Sequence, residues 1–460
     1  MGRPRTVLKP FIDLAAQGAA CAYEARQRLE ERKATGPPCS GADTAPPRTR
    51  PPQPRPLPAR NAARSLLLRL VGLPWAKGGR DIPELAGRCD WDYFLSLGAR
   101  HGVAPVLHAR LASGAFEGVV PERIRNALAT YHATTLARNV ILLSETESFC
   151  DRLNRHGIQV MLLKGIALAQ GVYPHPALRP MTDVDILVRK GDLPAVRRIL
   201  ESDCGYRDAG IESPAAEAVY GRTTLVKPGA PAHLGRMLLE VHWDIAPLEY
   251  EWKGRRSPTA EFWSGAQEAH LGESLALVPE DADHLCYVAM HNCVHCFDRL
   301  MGLMDVAYLL PRSSQHGAWE GLVRRARRYG CRLDLFLNIA LAHGLFGTPV
   351  PPEALRELAP AEWHARLQAR LFTPEAIFDE KFSTLRRYLT RMLSVDRFGD
   401  ALRFIVWGLF PSRAWRAHQA ELRRIHGATD KKLTHLLLLA QHAGKAVTGP
   451  LRRLWDHLRR

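Results

Sequence analysis

Four short strand-like runs between residues 157 and 245 constrain this chain more than any other feature. They are Ile158–Leu163, Val184–Val188, Thr223–Lys227 and Met237–Ile245. Each is of strand length rather than ordinary helix length, and Gly, Pro or polar residues bound them. Helix-patterned segments, Ile166–Gly171 and Asp192–Ser202, fall between them. The expected order is strand, helix, strand, helix, strand, strand. Elsewhere the texture is helical. Asp90–Gly102 and Val103–Gly114 read as a helix pair and Pro121–Arg152 as one long helix. Glu280–Phe297, Leu300–Leu310, Trp319–Tyr329 and Leu333–Leu345 continue the series. The expected class is α+β: a small mixed β-sheet core over 153–275, helical regions at 61–152 and 276–350, and a basic helical region at 351–460.

The two ends differ from this body. Residues 34–60 hold nine prolines in 27 positions, which predicts an extended linker after a helix around Phe11–Arg32. Residues 1–60 carry a net +6 and 411–460 a net +8, so only +2 of the total +16 belongs to 61–410. Basic tails attract anionic partners without specifying one. The C-terminal tail contains Trp415 and Trp455 among its arginines but no sequence-specific nucleic-acid motif, and it could equally lie on an anionic membrane; the preferred reading is an accessory helical element of unknown partner. Nine scattered cysteines form no compact disulfide framework, which fits a reduced, cytoplasmic setting. The longest apolar runs, Phe404–Phe410 and Leu436–Ala440, fall far short of a transmembrane segment.

The chemistry concentrates in the strand-like runs. Arg179-Pro-Met-Thr-Asp183-Val-Asp185-Ile-Leu-Val places two carboxylates at i and i+2, on one face of a strand. Like charges so placed repel unless a cation lies between them, and Mg²⁺ suits carboxylates combined with phosphate oxygens. In Leu239-Glu240-Val-His242-Trp-Asp244 the polar residues alternate with apolar ones, so Glu240, His242 and Asp244 are expected to share a face. Were that strand to lie beside Asp183 and Asp185, Asp183, Asp185 and Glu240 would suffice for two metal ions in a phosphoryl- or nucleotidyl-transfer site. Upstream, Lys164-Gly165 ends one apolar run and opens a helix, an arrangement that suits a phosphate.

Together these segments resemble an uncharacterised bacterial nucleotidyltransferase family of the DNA polymerase β-like superfamily. The resemblance rests on Lys164-Gly165, on Arg179 four residues before Asp183, on Asp185 heading Ile-Leu-Val, and on Glu240-Val-His242-Trp243. Ala99-Arg-His101-Gly-Val-Ala-Pro105 and the stretch from His291 through Leu303-Met-Asp305-Val-Ala-Tyr-Leu309 are similar to its helical lead-in and follow-on. The resemblance implies Mg²⁺-dependent transfer of a nucleoside monophosphate from an NTP to an acceptor hydroxyl, with release of pyrophosphate. Asp183 and Asp185 would hold Mg²⁺ at the triphosphate, and Glu240 a second ion. Lys164, Gly165 and Arg179 would form the nucleotide-binding set: Lys164 and Gly165 would contact phosphates, and Arg179 would steady the loop or neutralise charge on the leaving pyrophosphate. His242 would stand behind the ligands or on the acceptor side. The acceptor, a small molecule or a macromolecule, and the base of the donor are not readable. One departure stands out, since the superfamily commonly has Gly-Gly or Gly-Ser where this chain has Lys164-Gly165. The alternatives are a catalytically degenerate nucleotide-binding or interaction module, and a toxin–antitoxin-type enzyme that modifies protein or RNA.

A second group, His284, Cys286, His291, Cys293, His295 and Cys296, lacks the spacing of a zinc site. Its expected role is helix packing, with the cysteines as small apolar residues.

Overall fold

A computed structural model describes residues 57 to 418 apart from 73–80, 113–115, 117, 211–212, 229–235, 247–256, 314–318, 362–376, 379–393, 410–411 and 414. The expected N-terminal helix at Phe11–Arg32, most of the Pro-rich linker and nearly all of the basic C-terminal tail lie outside the described residues. The linker expectation needs one correction. Helix α1 spans Leu57–Gly72, so Pro58 falls in its first turn, where a missing N–H costs no intrahelical bond.

Helices α2 (Ile82–Gly87), α3 (Trp91–Arg100) and α4 (Ala104–Leu111) follow, then α5 (Glu122–Arg155). At 34 residues α5 is about 50 Å long at 1.5 Å per residue. The core unit begins with β1 (Met161–Leu163), α6 (Lys164–Gly171) and β2 (Asp183–Leu187). Next come α7 (Leu193–Ser202), β3 (Arg207–Asp208), α8 (Pro214–Tyr220), β4 (Arg222–Lys227) and β5 (Met237–His242). After α9 (Thr259–Ser264) the hairpin β6 (Gln267–Leu271) and β7 (Ser274–Val278) rejoins the sheet. Then α10 (Asp281–Val294), α11 (Leu300–Ser313), α12 (Trp319–Tyr329), α13 (Arg332–Phe346), α14 (Pro352–Leu358) and α15 (Phe398–Leu409) follow.

The fold is α+β. One mixed seven-stranded sheet runs β3-β4-β5-β2-β1-β7-β6. Strand β2 sits at its centre, antiparallel to β1 and parallel to β5. The β6–β7 hairpin extends the sheet to Val278, beyond the expected boundary at 275, and β7 pairs parallel with β1. Leu271 opposes Ser274 across a two-residue turn whose Gly272 has φ +59°, a backbone that favours glycine.

The alternation of side chains divides the sheet. Val184, Ile186, Val188, Leu239, Val241 and Leu225 face α5 and α7, packing on Leu142, Phe149, Val196 and Ile199. On the other face Met161, Leu163 and Leu187 join a helical core that holds Leu67, Leu70, Leu107, Leu285, Leu303 and Phe346. That core unites helices from both sides of the sheet in sequence. Met301 N–H donates to His101 O at 3.1 Å, tying the start of α11 to the end of α3. Gly72 ends α1 so close to α13 that an added Cβ would lie 2.8 Å from Phe346 O.

Candidate active site

The sheet register builds the site. Asp185 pairs with Glu240 on β5 and with Leu163 on β1, and Thr224 on β4 opposes Glu240. Asp183, Asp185, Glu240 and His242 therefore occupy one face, the face roofed by α10. His242 Nε2 lies 3.0 Å from Asp185 Oδ1 and 3.3 Å from Glu240 Oε2. One ligand atom from each of Asp185, Glu240 and His242 falls within 4.8 Å of the other two, the only such group among the described residues. Asp183 lies on the same face at the head of β2, outside that group. Asp244 departs from the expectation. Strand β5 ends at His242, and the Asp244 carboxylate instead accepts from Ser257 and Thr259 Oγ1, the latter at 2.6 Å.

Two cations enter this face. Arg222 Nη1 donates to Glu240 Oε2 at 2.5 Å. Lys164 Nζ donates to Asp185 Oδ1 at 2.7 Å, and its side chain is only 13% exposed. Burial opposes ionisation of both members of the Lys164–Asp185 pair. For Lys164 the charges of Asp185 and Glu240 outweigh burial and raise the pKa. For Asp185 the Lys164 ammonium and the His242 hydrogen bond outweigh it and hold the carboxyl well below the usual range. Among the described residues Asp183 has no such close partner. Burial, then the charges of Asp185 and Glu240, push its carboxyl up.

The turn that delivers Lys164 is strained. Its φ of +43° lies in the left-handed region, which costs a residue other than glycine about 1–2 kcal/mol. Gly165 is required next, because an added Cβ would lie 2.6 Å from Arg179 Nη1. No side chain caps the α6 N-terminus, so its first N–H groups are a natural anion site.

Arg179 is placed to steady the loop before Asp183. Its Nε and Nη2 donate to the two oxygens of Asp305 at 3.0 and 2.9 Å, and Tyr173 OH donates to the same carboxylate at 2.7 Å. This clamp fixes the loop before Asp183 to α11. From the other side Asn139 donates to Pro176 O and Arg179 O at 2.7 and 2.8 Å. Arg138 donates to Met181 O and Thr182 O, each at 2.7 Å.

Sequence reasoning assigned no role to Arg138, Asn139, Arg222 or Tyr287, and read His291 only as helix packing or part of the family resemblance. Tyr287 and His291 are four apart on α10, and the Tyr287 ring centroid lies 5.8 Å from Lys164 Nζ. Burial, followed by the Lys164 charge, holds the His291 imidazole well below its usual pKa. The helical spacing of 284, 287, 291 and 295 was the available signal. Cys286 and Cys293 from the same helix are buried in the helical core and form no disulfide with each other.

A mixed sheet with carboxylates on adjacent central strands, entered by a strand-to-helix turn, describes a nucleotidyltransferase-type core. The family model described as "Uncharacterised nucleotidyltransferase" matches residues 88–347, and the chain belongs to this family. A comparison with curated proteins found no match. No helix among the described residues is long and apolar enough to cross a membrane.

Proposed function

We propose that this protein transfers a nucleoside monophosphate from an NTP to an acceptor hydroxyl and releases pyrophosphate. The observation that carries this reading is the convergence of Asp185, Glu240 and His242 beside the Lys164-Gly165 turn, in a chain of the nucleotidyltransferase family. Two carboxylates and an imidazole within 4.8 Å fit a divalent cation. Asp185, Glu240 and His242 would hold it, with Asp183 beside them to complete its shell together with phosphate oxygens. When bound, the cation neutralises charge that develops on the phosphates.

The remaining work falls to the chain. The uncapped N-terminus of α6, at Lys164 and Gly165, receives the phosphates of the donor. Arg179 steadies the loop that positions Asp183, since its guanidinium is committed to Asp305. The acceptor oxygen bonds to the α-phosphorus while the bridging α–β P–O bond breaks. The electron pair leaves with pyrophosphate, and the acceptor proton passes to the Glu240 carboxylate. The α10 roof, with Tyr287 and His291, forms the wall that excludes water from this face.

The test uses α-³²P-labelled ATP, GTP, CTP and UTP with Mg²⁺ and a panel of acceptors from small alcohols and sugars to RNA and total protein. Metal-dependent transfer that drops by about 100-fold or more in Asp183→Asn and Glu240→Gln supports the mechanism. Full transfer by Asp183→Asn contradicts it. Nucleotide binding without turnover across the whole panel would favour a binding module.

A further inference from the structure

The most unusual group in the site is the lysine. Leu163 pairs with Asp185 across β1 and β2, so the next residue leaves the strand directly beside that carboxylate. Lys164 makes this exit with a φ of +43°, a conformation ordinarily left to glycine, and its ammonium reaches Asp185 Oδ1 at 2.7 Å. Tyr287 encloses it from α10. A strained backbone and an enclosed ammonium at one residue point to a site requirement rather than to a surface lysine.

The arrangement of ligand atoms gives that requirement its content. A two-ion clamp sets its cations about 3.5–4 Å apart. A carboxylate that bridges two ions must give one oxygen to each. Here one oxygen of Asp185 is already covered, by Lys164 Nζ at 2.7 Å. The donors of Asp185, Glu240 and His242 lie within 4.8 Å of one another, the span of the ligands around a single ion.

We infer that Lys164 is a built-in cation that takes the place of one of two divalent ions, so that the site holds a single ion on Asp185, Glu240 and His242. This rests on the nucleotidyltransferase reading and replaces the two-ion expectation. The ammonium neutralises Asp185 without leaving when product leaves. Its other N–H donors face the phosphates delivered to the α6 N-terminus.

The experiment counts bound Mn²⁺ by electron paramagnetic resonance on the full chain. It is run alone and with saturating α,β-methylene analogues of ATP, GTP, CTP and UTP in turn. Wild type is compared with Lys164→Gly and Lys164→Asn, two residues that accept a positive φ, and melting curves establish that each variant is folded. The expected result is one Mn²⁺ per wild-type chain and two per chain in both variants. A purely structural lysine would shift the melting curve and add no ion. Two ions in the wild type overturn the inference whatever the variants do, and leave the nucleotidyltransferase reading intact. One ion in the folded variants overturns it in the same way. No Mn²⁺ on any of the proteins, with or without the analogues, overturns both.

Discussion

Arg179 carries more structural weight than its place in a loop suggests. Its guanidinium and the Asp305 carboxylate are both nearly buried and meet through two parallel hydrogen bonds, the geometry that makes arginine irreplaceable by lysine. Removing one member of a buried pair strands the other, and that typically costs about 3–5 kcal/mol. Arg179→Ala is predicted to lower unfolding stability by that order in urea titrations. Arg179→Met combined with Asp305→Leu should cost clearly less than the sum of the two single changes. Additive losses would mean that the pair is not coupled. The same guanidinium explains Gly165, a residue the sequence marks as a phosphate contact. Its missing side chain leaves room for Arg179 as well as for a ligand.

At the level of elements, the central strands were legible because their chemistry follows the period of two. Asp183, Asp185, Glu240 and His242 alternate with Val184, Ile186, Leu239 and Val241, and register then brings the polar set together. The reading failed where that period ended. Asp244 keeps the alternation in sequence, but the backbone has already left the strand. The β6–β7 hairpin was missed for a different reason. Gln267-Glu-Ala-His-Leu is polar enough to pass for a helix or loop, and only Gly272-Glu273 signals the turn. Pairing with a buried neighbour, not local propensity, makes these residues strands. Helix α10 was read as core packing, which its cysteines satisfy. Its Tyr287 and His291 reach the site only because α10 and the Lys164 turn come together in three dimensions. The same helix carries His284, whose Nε2 is buried without a hydrogen-bond partner among the described residues. Burial, then the charges of Arg179 and Arg312, lower its pKa from 6.5 to about 3. The unfolded chain binds a proton near pH 6.5 that the folded chain refuses until about pH 3. Stability is thus full above that upper value and is lost as pH falls between the two, by up to about 1.4 kcal/mol per pH unit. Chemical denaturation of wild type and His284→Leu at pH 7 and at pH 5 should show a smaller acid loss in the variant. Equal losses would remove His284 from the account.

Across the whole molecule, helices from the two ends of the matched region close over one face of the sheet. His101 on one side and Leu300 on the other are joined by a backbone N–H that meets the imidazole at 3.4 Å. Segments that the sequence presents as a lead-in and a follow-on are thus a single roof, built before and after the strands they cover. Local patterns name each helix but do not say that α3 and α11 touch, since that contact joins residues about two hundred positions apart. The roof, the sheet and the α6 turn together form a site whose fixed charges, from Lys164 and Arg222, are already in place. That preorganisation is the central claim, and calorimetry of NTP binding reads it most directly. Wild type and Glu240→Gln are titrated with ATP, GTP, CTP and UTP, in Mg²⁺ and in chelator. The account predicts that at least one nucleotide binds the wild type only with Mg²⁺, and that Glu240→Gln weakens this binding by about tenfold or more, at least 1.4 kcal/mol. Equal binding by both proteins, or none by a folded wild type, would contradict it.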